Sequence, residues 1–112
     1  MKNCYTYACD VAKRFGNRLP DIGEIIAGVE WCVRKATKET GSDSNWTDTV
    51  PHKGVLLLMG PAPDKLHHCG VVVLENPILI EHALKGRVYT HSLADLTRMG
   101  YACHRFLAYG IR

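Results

Sequence analysis

From Gly54 onward the chain is a series of short apolar runs with little but turn residues between them, and this restricts its fold more than any other feature. Residues 55–59 (VLLLM) form an unbroken apolar run, as expected of a strand buried on both faces. GPAPDK at 60–65 reads as a turn and LHHCGVVVL at 66–74 as a second strand. Glu75, Asn76 and Pro77 turn into a third strand at 78–83, and Lys85 and Gly86 into a fourth at 87–91. Ser92, with Asp95 three residues on, has the form of a capping box for a short helix that stops at Gly100. A last strand follows at about 101–109, with Ala102, His104, Phe106 and Ala108 on one face. Strands joined by connections this short pair antiparallel.

The first half has helical spacing instead. Asn3 is a favoured N-cap, which puts Cys4 on the first helical position of a segment over 3–16. Cys4, Ala8, Val11, Ala12 and Phe15 then share one apolar side. Asp21 and Glu24 open a second, long amphipathic helix, in which Ile22, Ile25, Ile26, Val29, Val33 and Ala36 recur to about Glu39 before Gly41 closes it. GSDSNWTDTVPHK at 41–53 has loop composition. As the longest irregular stretch, joining helices to sheet, it is expected to border a cleft, with Trp46 folded onto the core or covering a bound peptide. Helices first and hairpin-linked strands after predict one α+β domain over 1–112, N-terminal helices packed on an antiparallel sheet of about five strands.

Composition excludes several functions. The 14 Lys and Arg residues are scattered, without the stripe that marks a nucleic-acid surface. Apolar runs of about five residues are far too short for membrane insertion. The opening MKNCYTYACD has no apolar signal core, so synthesis in the cytoplasm is expected, with delivery by a partner if the protein acts at a cell wall. Five cysteines, none in a CxxC pair, argue against a disulfide framework.

The chemistry-bearing residues are Cys4 and the histidines. A thiol at a helix start meets unpartnered backbone N–H groups and the positive end of the helix dipole, both of which favour thiolate. Of six histidines, His67, His68, His82 and His91 fall on the second to fourth strands. His68 and His82 can be cross-strand neighbours. A cysteine hydrolase needs a thiolate, a histidine to hold its proton and a polar group to orient that histidine; Cys4, His68 and His82 supply them in that order. Strand alternation puts Leu66, His68, Gly70, Val72 and Leu74 on one face and His67, Cys69, Val71 and Val73 on the other. The bare Gly70 is expected to admit the nucleophile's helix on the His68 face, which selects His68 over His67 as base. Glu81 should point away from His82. The same alternation splits the ligand types His67, His68, Cys69, His82, His91, Cys103 and His104 between faces, so neither metal nor cofactor is expected.

On these residues the chain resembles the NlpC/P60 papain-like cysteine peptidases, particularly small forms found in phage tail assembly proteins. NCYTYACDVAKRFG is similar to the family's nucleophile helix, VLLLMG with HHCGVVVL to its strand pair bearing the base, and ILIEHALKGRV to the strand bearing its third polar residue. SLADLTRMGYACHRF is similar to the short helix and final strand of the phage forms. The resemblance implies a papain-like fold, catalytic Cys4, His68 and His82, and hydrolysis of an amide in the peptide stem of bacterial peptidoglycan through an acyl-enzyme. It also implies delivery by a phage or secretion-system partner. The alternatives are an inactive papain-like binding or assembly protein, and acyl transfer or deamidation on the same fold.

Overall fold

The computed structural model describes residues 4–19 and 46–109. The cap at Asn3, the long helix expected over 21–39 and the first part of the 41–53 stretch lie outside the described residues. The elements are α1 (Cys4–Lys13), β1 (Trp46–Asp48), β2 (Leu56–Gly60), β3 (His68–Glu75), β4 (Ile78–Leu84), β5 (Arg87–Ser92), α2 (Leu93–Arg98) and β6 (Cys103–Tyr109). All six strands form one antiparallel sheet in the order β1-β6-β2-β3-β4-β5. The chain is thus an α+β protein, and among the described residues its sheet has six strands where about five were expected.

Local chemistry accounts for the sequential part of this sheet. Lys85 and Gly86 take φ of 51° and 78°, the paired left-handed conformations of a two-residue hairpin turn between β4 and β5. Ser92 caps α2 as expected: its hydroxyl accepts from the Asp95 N–H, and the Asp95 carboxylate accepts from the Ser92 N–H. α2 then carries the chain back across the sheet, and β6 pairs with β2 rather than with its chain neighbour β5.

The additional strand, β1, lies within the stretch expected to be loop throughout. It pairs with β6, Trp46 opposite Tyr109. Trp46 is 3% exposed and meets the Tyr109 ring edge-on at 5.0 Å. Burial of the indole holds a strand of only three residues in place, reinforced by the Arg105 guanidinium on both oxygens of Asp48 at 2.6 and 2.9 Å. Trp46 is therefore a core residue, and the expectation that it covers a bound peptide is corrected.

β2 is buried along its whole length because both faces of the sheet are covered. Leu56 and Leu58 pack with Val71, Cys69, Leu107 and the buried side of α1 (Cys4, Tyr5, Ala8, Val11 and Ala12). Leu57 and Met59 pack on the other face with Val72, Ile80 and Leu96 of α2. Removing a buried residue such as Val11 or Leu96 from water contributes roughly 1.5–3 kcal/mol. On the first face Glu81 of β4 accepts from the Tyr7 hydroxyl and pairs with Arg14, which fixes α1 across the sheet.

Two consequences follow for the site. Glu81 points away from His82, as the alternation requires. α1, however, lies on the Cys69–Val71–Glu81 face and not on the His68–Gly70 face. The bare Gly70 serves a different neighbour: a Cβ there would come within 3 Å of Ile80 Cγ2, Glu81 O and His82 Cβ, so it is β4 that approaches closely.

Candidate active site

His68 is the first residue of β3, at the rim of the sheet where β2 ends and β6 begins. Cys4, the first residue of α1, reaches the same rim from the other face. Its sulfur lies 3.5 Å from that of Cys69, which follows His68 in the chain and projects towards α1. The Cys69 thiol donates to the Cys4 sulfur. That hydrogen bond is the largest influence on Cys4, and the hydrogen bond and charge of His68 add to it. Burial opposes them, but the balance brings the Cys4 thiol down to about 5. At neutral pH the pair is a thiolate beside a histidine.

His68 is 4% exposed and His82 fully buried. His68 Nε2 and His82 Nδ1 stand 2.9 Å apart, with the rings edge to face. Since His68 spends Nε2 on His82, its Nδ1 is the nitrogen available to the thiol. Burial lowers His82 first, and the charges of His68 and His91 lower it further, to about 4, so His82 is neutral at neutral pH. Tyr101 stacks on the His68 ring at 5.0 Å and 24°, holding the plane of that ring. Burial and the Cys4 charge raise the Tyr101 phenol, which stays protonated beside the thiolate.

The structure thus brings Cys4, His68 and His82 together. His67, the neighbour of His68, is exposed and lies outside this line of contacts. Among the described residues no group of three or more His, Cys, Asp or Glu side chains is arranged to hold a metal ion, and no helix is long and apolar enough to cross a membrane.

Three residues near the centre were not assigned a role from the sequence: Cys69, Tyr101 and His91. Alternation already placed Cys69 opposite His68. The helix covers the Cys69 face, so the residue beside His68 meets the Cys4 sulfur. Tyr101 arrives from beyond α2, and no periodicity links it to His68.

Comparison with known proteins gives no match: no family model, no curated protein and no solved structure matches the chain.

Proposed function

We propose that the protein is a papain-like cysteine peptidase or amidase of the NlpC/P60 kind, which hydrolyses an amide in the peptide stem of bacterial peptidoglycan. One observation carries the reading: His68, whose hydrogen bond and charge help to lower the Cys4 thiol, stands with Nε2 2.9 Å from Nδ1 of the buried His82.

In this reading the Cys4 thiolate attacks the amide carbonyl carbon, and the carbonyl electron pair moves onto oxygen. Backbone N–H groups at the start of α1, the Cys4 N–H among them, face the developing oxyanion. His68 gives its Nδ1 proton to the leaving nitrogen as the C–N bond breaks, which leaves a thioester on Cys4. A water molecule then loses a proton to His68 and attacks the thioester, releasing the carboxylic acid product and restoring the thiolate. His82 accepts from His68 Nε2–H throughout and keeps the ring aligned. Delivery to the wall is the work of a phage or secretion-system partner.

The test is incubation of the protein with purified sacculi and with synthetic stem peptides, read by mass. The expected result is cleavage with gain of one water, abolished in Cys4→Ala and weak but measurable in His82→Ala, because an orienting group removed alone costs less than the nucleophile. Substrates left intact by the wild-type protein, or equal residual activity in both variants, count against the reading.

A further inference from the structure

The contacts do not stop at His82. Its outer nitrogen, Nε2, lies 2.9 Å from Nδ1 of His91 on β5, with ring centroids 5.2 Å apart. His91 is half-buried and stacks on Tyr89 at 5.4 Å and 15°, so its ring is held in place. We propose that His91 is a positioning residue of this site: by accepting the His82 Nε2 proton it fixes the His82 tautomer that can receive the proton of His68. The inference rests on the reading of Cys4 as nucleophile and His68 as base.

Proton bookkeeping along the line gives it a direction. Whether Cys4 and His68 are thiol and imidazole or thiolate and imidazolium, His68 Nδ1 faces the thiol and Nε2 bears a proton. His82 Nδ1 must then offer a lone pair. A neutral imidazole has one N–H, so that of His82 is on Nε2. This N–H is buried and needs an acceptor; His91 Nδ1 is the one in reach, and His91 then carries its own proton on Nε2. Each histidine in the line thus donates to the next, away from Cys4. Among the described residues no buried side-chain nitrogen or oxygen lacks a partner, and His91 is what satisfies the outer nitrogen of His82. Without His91, either that N–H is buried unsatisfied or the proton moves to Nδ1. There it opposes the His68 N–H and breaks the alignment of the base.

The experiment is imidazole nitrogen NMR on the full chain labelled with 15N-histidine, in the wild type, His91→Phe and His91→Gln, with the pH profile of Cys4 alkylation by iodoacetamide measured alongside. In the wild type His82 should be bare at Nδ1 and protonated at Nε2. His91→Phe keeps a flat ring but removes the acceptor. It should shift the His82 proton towards Nδ1 and raise the midpoint of Cys4 alkylation by about half to one pH unit, the effect of one lost hydrogen bond. His91→Gln, whose amide oxygen can accept, should restore both. A wild-type His82 protonated at Nδ1, or a His91→Phe protein with unchanged tautomer and midpoint, overturns the proposal. The wild-type spectrum decides the point even if His91→Phe does not fold. Neither readout uses an amide substrate, so absence of hydrolysis overturns the peptidase reading and leaves the histidine line standing.

Discussion

His68 and His82 meet at 2.9 Å although they are not opposite each other in the sheet. The pairing of Val71 with Glu81 and Val72 with Ile80 sets His82 against Gly70, two residues along from His68 on the same face. Diagonal neighbours stand about 7–8 Å apart, within reach of two imidazoles when nothing lies between. Gly70 provides that space.

Gly70→Ala should therefore damage both fold and site. The new methyl group would press on the Glu81 carbonyl oxygen and the His82 Cβ, each 2.9 Å from its position, and backbone cannot move aside as a flexible side chain can. Denaturant unfolding should show a loss of about 1–3 kcal/mol, the usual cost of overpacking. A change within 0.5 kcal/mol of zero would mean that β3 and β4 have more freedom than their contacts indicate.

Acid stability should reflect His82. Its pKa falls from 6.5 to about 4 on folding, so between these values the unfolded chain binds more protons than the folded one. Stability then rises with pH across this window and is lost as pH falls through it, by on the order of 3 kcal/mol from this one residue. The loss of unfolding free energy from pH 7 to pH 4 should be greater in the wild type than in His82→Gln by that margin. Parallel losses in the two proteins would contradict it.

Cys69 should act on Cys4 through its hydrogen bond. Cys69→Ala removes the donor, and the Cys4 thiol should then titrate higher than about 5. Cys69→Ser keeps a donor and should hold most of the shift. Thiolate absorbance against pH is a direct measure. An unchanged Cys4 midpoint in Cys69→Ala would assign the lowering to His68 and the Cys69 backbone N–H.

The sequence was most informative where structure is local. β2 to β6 and α2 lie within about two residues of their expected limits because Asn76–Pro77, Lys85–Gly86 and the Ser92–Asp95 box act over short distances. β1 was not legible: its three residues carry no strand pattern, and its partner β6 lies more than fifty residues away in the chain. Alternation placed His68 with Gly70 and His82, and His67 and Cys69 opposite. It did not say which face α1 covers, because Val71 and Val72 make both faces equally apolar and only the tertiary contacts through Glu81 and Val11 decide. His91 was visible as a strand histidine, but its contact with His82 depends on the β4–β5 register, which sets His82 opposite Tyr89 and Ile80 opposite His91.

Cys4 is a thiolate held ready by Cys69 and His68, and the pH profile of iodoacetamide labelling, resolved by peptide mapping, is its direct test. At pH 6 a thiol of pKa about 5 is nearly all thiolate, whereas an ordinary thiol is under about 1% ionised. The lower intrinsic nucleophilicity of the weaker base offsets part of this, leaving an advantage of about tenfold. Labelling of Cys4 should rise with a midpoint near 5 and be flat by pH 7, where an ordinary thiol is still climbing. His68→Ala should move the rise to higher pH and His67→Ala should not. A Cys4 profile that climbs in parallel with the other cysteines to pH 9, or one that His68→Ala leaves unchanged, would contradict the account.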